Sequence, residues 1–254
     1  MSTLVVRYAA PLASFGHTSR FDTRATAATP TLSAIQGMVA AAAGAGRDRP
    51  WPAWIADLHV AIRTEHPGAS LSDYHTINQP PLKAYRNISE KDRKKVMFLA
   101  NAKGKRATFN TLDTRRHYIA DSTFLLLIDD PTGNVTDALT APRWAISAGR
   151  KTCTLTAPFL LGHHPDPPET AAAAVATVPH PTERDLDDTT TRALTRFSAP
   201  NGNAPNGGHE DRNDRASGFR THRTERRWHT RVTVPVTTDW FAVIDDLAPT
   251  GPAT

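Results

Sequence analysis

The sequence predicts an α+β fold: a ferredoxin-like (RRM-like) βαββαβ domain, an inserted basic β-hairpin arm, and a small β-rich C-terminal part. Three observations carry that prediction. Strand-like and helix-like runs follow one another as strand, helix, strand, strand, helix, strand over residues 1–162, the order of the split βαβ arrangement. A lysine- and arginine-rich segment interrupts them between the second and third strands. Beyond residue 163 the chain turns to Pro, Thr, Ala, Asn and Gly before an Arg-rich alternating stretch resumes at 214–236.

The elements follow in chain order. "TLVVRYA" (3–9) is rich in Val and Leu, alternates weakly and reads as the first strand. A loop of small and polar residues occupies 11–30. "TLSAIQGMVAAAAGAG" (31–46) carries an alanine run of high helix propensity. Ser33 followed by Gln36 fits a capping box, and Gly44 and Gly46 close the helix. "LHVAIRTE" (58–65) alternates and reads as a strand. The arm takes 79–118, with "AKGK" as a hairpin tip between two short strands. "STFLLLIDD" (122–130) is a buried strand ended by the turn "DPTGN". "TDALTAP" (136–142) is a short helix stopped by Pro142, and "RWAISAGRKTCTLTAPFLLG" (143–162) reads as strand, broken at Gly149. The C-terminal part, 163–246, contains the low-complexity insert "SAPNGNAPNGGHED" (198–211), expected to be disordered, and then a strand or hairpin. Residues 247–254 form a tail.

A chain of 254 residues is long enough to bury a real core. No apolar run approaches the roughly 20 residues that span a bilayer. The start of the chain lacks a signal-peptide layout, so the expected location is cytoplasmic. One cysteine excludes a disulfide framework and any multi-cysteine zinc site. Net charge is +5, yet from Lys83 to Tyr118 eleven Lys and Arg stand against three acids. A basic excess confined to one segment suggests a docking surface for a polyanion; a solvated loop is the plainer alternative.

Several chemistries were weighed on the residues. Cys153 follows Arg150 and Lys151 in "SAGRKTC", but a nucleophilic thiol also wants a positioned histidine, and a small buried residue is the favoured reading. Gly149, Arg150 and Lys151 could let a phosphate approach the backbone, with a strand bulge as the alternative; "GRKT" is no Walker loop. Among eleven histidines, including His17, His59, His66, His163 and His164, no HxH or HExxH spacing occurs, so neither metal nor cofactor is expected. His75 and His117 flank the arm; the two together, or either with a Tyr or Lys, could cleave RNA by acid–base chemistry, though hydrogen-bonding or stacking roles are favoured. The acid pairs Asp129–Asp130 and Asp187–Asp188 are explained by turns. Arg interleaves with aromatic residues in "SRFDTR", "YRN", "RRHY" and "RTERRWHTR", which suits phosphates and unpaired bases.

A family resemblance rests on specific blocks. "LVVRYAAPLASFGHTSRFDTRATAATPTLSAIQGMVAAAAGAGRD", "DYHTI" (73–77), "RRHYIADSTFLLLI" (115–128) and "PRWAISAGRKTCTLTAPFLLG" (142–162) resemble, in order and spacing, the Cas-five (CasD) subunits of the type I-E CRISPR surveillance complex, Cascade. Phe15 stands where that family usually has Trp, and Ser147 and Ala148 where an aromatic and a leucine are common. The resemblance implies a non-catalytic RNA-binding subunit that holds the 5′ handle of the CRISPR RNA. It also implies neighbours in the backbone and large subunits, and a place near target DNA beside its flanking motif. The residues it nominates for RNA are Arg20, Arg24, His75, Asn78, Arg115, Arg116, His117, Tyr118, Gly149, Arg150 and Lys151, with Lys103, Lys105 and Arg106 at the arm tip touching RNA or DNA. Cys153 is then structural. The rivals are a metal-independent endoribonuclease that processes CRISPR RNA, and a pure protein scaffold.

Overall fold

The computed structural model describes residues 2–16, 19–20, 22–46, 48, 50–79, 110–156, 159–184, 186–197, 208–218 and 221–250. Ten strands among them join one sheet. Its central strip is β7 (Leu160–His164), β1 (Thr3–Ala13), β6 (Asn110–Asp129) and β4 (Val60–His66), each antiparallel to its neighbour. Beyond β4 the sheet continues through β8 (Thr189–Phe197), β10 (Thr221–Pro235) and β9 (Gly208–Gly218). β2 (Ser19–Arg20) and β3 (Thr23–Arg24) form a small pair, and β3 runs parallel to β6.

Alternation along the central strands splits the core in two, because successive side chains point to opposite faces. Leu4, Val6, Ile62, Leu126 and Ile128 pack with residues of α1 (Leu32–Ala43), α2 (Ala53–Ala56) and α3 (Asn134–Thr140). Val5, Ala61, Leu125 and Leu127 pack with residues of α4 (Pro168–Ala174) and α5 (Trp240–Asp245). No helix among the described residues is long and apolar enough to cross a membrane.

β6 is twice as long as its apolar stretch suggests. Its C-terminal half pairs with β1 and β4, and its N-terminal half pairs over Asn110–Ala120 with β5 (Ala69–Gln79). β4 and β5 therefore form one ladder along β6, interrupted at a bulge by His66. Across the interruption Gly68 and Asp121 both adopt left-handed backbone, φ 71° and 55°. Of the predicted arm (79–118), Gln79 and residues 110–118 belong to this ladder; 80–109, with "AKGK", lie outside the described residues.

The α1 N-cap is Thr31, whose hydroxyl accepts from the Ala34 N–H at 3.2 Å, not Ser33 as the capping-box reading expects. Gln36 is instead fully buried. Its amide donates to the carbonyls of Ile55, Ala56 and Ala216 and accepts from the Ala216 N–H, tying α1 and α2 to β9. Gly44 takes the left-handed C-cap. The strand expected over 143–162 is only β7 at its end. Residues 144–156 form a loop whose apolar side chains Ile146, Ala148, Cys153 and Leu155 reach the core, which explains the strand-like composition. Residues 208–211, expected to be disordered, begin β9, while 198–207 lie outside the described residues. Asp130 accepts from the backbone N–H groups of Val135 and Thr136, so this acid caps the start of α3.

His59 and Glu169 pin α4 beside the start of β4, 3.0 Å apart. The hydrogen bond to Glu169 holds His59 above its ordinary value despite desolvation, and the same bond holds Glu169 below its own. The His59 contribution is complete below about pH 6.5 and is lost as pH rises through the raised value; the Glu169 contribution is complete above about pH 4.3 and is lost as pH falls through the lowered one. The stability gap between the native chain and Glu169→Gln should therefore be widest between those limits and narrow on either side. Urea midpoints across that range test this, and a pH-independent gap would show that the pair does not form.

Candidate nucleic-acid interface

The site is built on the N-terminal half of β6, where two other strands flank it. Register puts Arg24 and Asp73 beside Arg116, and Leu71 beside Tyr118. It puts Thr23 and Tyr74 beside Arg115, and Ser72 beside His117. Directly opposed residues share a face. The nominated residues of "RRHY" thus divide, with Arg116 and Tyr118 on one face and Arg115 and His117 on the other.

The Arg116–Tyr118 face meets the 144–154 loop. Ser14, at the end of β1, bridges Gly149 in parallel, and its N–H donates to the Ala148 carbonyl at 3.1 Å. The Ser14 hydroxyl donates to the His117 carbonyl at 3.0 Å, fixing this junction to β6. Beyond Gly149 the chain turns tightly, with the Cys153 N–H donating to the Arg150 carbonyl at 2.8 Å. The Arg150 guanidinium lies over the Tyr118 ring, 4.9 Å from its centroid, and donates to the Arg24 carbonyl at 3.0 Å. Its Nη1 is buried without a partner.

Between this loop and α1 opens a cleft of about 710 Å³. Arg24, Arg150 and Lys151 line it, and so do Thr31, Ser33 and Ala34 at the N-terminal end of α1. That helix has no acidic residue in its first turn, and none of the described residues lining the cleft is acidic. A helix N-terminus carries roughly half a positive charge. Fixed cations and helix dipole act in the same direction here, and the site favours an anion. Gly37, Ala40 and Ala41 leave the helical wall shallow. Trp144, 52% exposed, and Trp51, whose buried indole N–H has no partner, supply flat aromatic surface.

Of the sequence-nominated residues, Arg24, Arg116, Tyr118, Gly149, Arg150 and Lys151 come together at this junction. Tyr118 is buried beneath Arg150 and supports the cation instead of offering a free face. Arg115 lies 5.8 Å from the Tyr74 ring, on the other face with His117. His75 pairs with Asp73 at 3.1 Å and, opposite Thr114, does not share a face with His117. Arg20 sits on β2 and Asn78 on β5, opposite Thr23 and Thr111. Lys103, Lys105 and Arg106 lie outside the described residues. Trp51, Trp144 and the N-terminus of α1 were not nominated; Trp144, six residues before Arg150, was the one signal within reach of the sequence.

The sequence profile described as "CRISPR-associated protein (Cas_Cas5)" matches residues 3–234. The chain belongs to the Cas5 family. A solved chain described as "CRISPR RNA-guided surveillance complex" is similar to this Cas5 protein at 25% identity, covering 96% of this chain and 98% of that one, with a TM-score of 0.69. A second, "Crystal structure of Cas protein", shares the fold at 22% identity, covering 99% and 100%, with a TM-score of 0.59. No curated protein sequence matches the chain.

Two other sequence readings meet the structure of this Cas5 chain differently. Cys153 is buried, and burial pushes its thiol above the ordinary range, which suits the structural reading. "RTERRWHTR" was grouped with the basic–aromatic RNA candidates, but its alternate residues turn inward. Glu225 pairs with buried Arg215, and Arg227 lies 5.3 Å from the Phe197 ring and donates to the Pro30 carbonyl. Outward-facing Arg226 is held by Asp211 through two bonds of 2.7 and 2.9 Å. These arginines hold β8–β10 together.

Proposed function

We propose that this Cas5 protein is a non-catalytic subunit of a type I-E CRISPR surveillance complex that grips the 5′ handle of the CRISPR RNA in the Arg24–Arg150–Lys151 cleft. The observation that carries the reading is the cation-lined cleft at the N-terminus of α1, with no acid among its described lining residues, in a chain of the Cas5 family. Phosphates would meet the cations and helix terminus, and bases would find Trp144. The arm rooted in β5 and β6 would reach the neighbouring backbone subunit, the large subunit and the target DNA, in the cytoplasm. The β7–β1–β6–β4 order, with α1 and α3 on the returns, supports reading the core as ferredoxin-like. A two-histidine nuclease is disfavoured by the separation of His75 and His117 onto opposite faces.

The test mixes the full chain with labelled CRISPR-repeat RNA in EDTA and follows both mobility shift and cleavage. Intact RNA and salt-sensitive binding are expected. With six or so phosphate contacts on a single strand, log affinity should fall against log salt with a slope of about −4. Arg24→Ala with Lys151→Ala removes two of those contacts and should reduce the slope by about 1.4. Specific cleavage abolished by His75→Ala or His117→Ala would instead make this chain the processing enzyme.

A further inference from the structure

Away from the cleft, at the root of the arm, three side chains from separate segments converge. His66 ends β4 at the bulge, Asp121 occupies the kink of β6, and His180 lies on the loop between α4 and β8. The two imidazoles stack nearly parallel, 3.6 Å between centroids. His180 Nε2 lies 3.1 Å from Asp121 Oδ2. One nitrogen of each histidine and one carboxylate oxygen all lie within 4.8 Å of one another.

We propose that His66, His180 and Asp121 form a binding site for a divalent transition-metal ion, with zinc as the best-fitting member of the class. Two imidazoles and one carboxylate suit zinc and its first-row neighbours, and three protein ligands leave a fourth position for water or an outside group. A tetrahedral ion with bonds of about 2.0–2.1 Å wants its donors roughly 3.3 Å apart, within reach of side-chain rotation from the present spacing.

Two further features are those of a prepared site. Asp121 is the one described non-glycine residue with positive φ, a conformation few residues besides glycine, Asn and Asp adopt, and its carboxylate reaches His180. His180 is oriented from behind: its Nδ1 lies 2.8 Å from the Thr182 hydroxyl and accepts from the Thr182 N–H at 3.3 Å, and its backbone N–H donates to Glu183. With the metal on Nε2, the ring proton sits on Nδ1 and is donated to Thr182 Oγ1, in place of the bond that Nδ1 accepts from the Thr182 N–H. Motif spacing could not reveal the set, since ligands on β4, β6 and the β8 approach loop are far apart in sequence. An ion here would staple the root of the arm to the loop that enters the C-terminal strands.

The probe is zinc chloride titrated into the metal-stripped full chain, with bound metal measured after dialysis and cobalt substitution read by visible absorption. One zinc per chain is expected, with the d–d bands of a four-coordinate cobalt complex. His66→Gln with His180→Gln should lose that ion while circular dichroism stays native. Thr182→Val, which keeps all three ligands, should weaken affinity about 10-fold or more. Zinc stoichiometry and affinity unchanged in the folded double variant would overturn the proposal, as would a native chain that binds no zinc at micromolar concentration.

Discussion

Arg63→Met should destabilise the folded chain by about 3–5 kcal/mol, the scale for stripping one partner from a buried ion pair. Arg63 is fully buried on the β4 face that receives α4. Its Nε donates to Glu65 at 2.6 Å, and its Nη atoms donate to the carbonyls of Ala172, Val175 and Ala176. One guanidinium thus satisfies the end of α4 and neutralises Glu65. Glu65 also accepts from the Thr177 hydroxyl, and Thr177 accepts from Arg192, itself paired with Glu183. Methionine fills much of the volume and supplies no donor, so a buried carboxylate and three carbonyls lose their partner together. Adding Glu65→Leu should recover part of the loss, because the orphaned charge goes, but not all, because the carbonyls remain. Urea unfolding of the native chain and both variants reads this directly. A single variant within about 1 kcal/mol of native stability would show that water replaces the guanidinium.

Legibility in the sequence followed burial. β1, α1, β4 and the apolar half of β6 carry alternating or helical hydrophobic patterns because each presents a face to the core. β5, "ASLSDYHTINQ", has no such signal: its described side chains are exposed or half-buried, and it is a strand because β6 offers backbone partners along its whole length. β8, "TTTRALTRF", was missed for a related reason, since Arg192 is buried by pairing with Glu183 and not by hydrophobicity. The reverse error occurred at 144–156, where apolar residues serve the core from a loop. At the site, Gly149, Arg150 and Lys151 stand together in the sequence, and all three line one cleft. That Tyr118 would support Arg150, or that the N-terminus of α1 would form the opposite wall, depends on chain returns that no local pattern specifies.

Gly149→Ala should damage both this junction and the proposed RNA site without removing any charge. Gly149 adopts φ 84°, and a Cβ there would fall 2.0 Å from the Ser14 carbonyl oxygen. Left-handed backbone costs a non-glycine residue about 1–2 kcal/mol, and an overlap with backbone adds overpacking strain of about 1–3 kcal/mol. The strain can be relieved by moving the 147–154 loop off Ser14. Ser14 cannot follow, because β1 pairs with β6 through Ala13 and its hydroxyl holds the His117 carbonyl. Displacement therefore lifts Arg150 from the Tyr118 ring and the Arg24 carbonyl and carries Lys151 with it. RNA affinity should fall at least as far as with Lys151→Ala, and the salt slope should drop as cations leave the phosphates. Gel shifts across a salt series, beside a urea midpoint, separate the two consequences. A destabilised variant that still binds RNA with the native slope would mean that the loop supports the fold alone and that the handle lies elsewhere on β6.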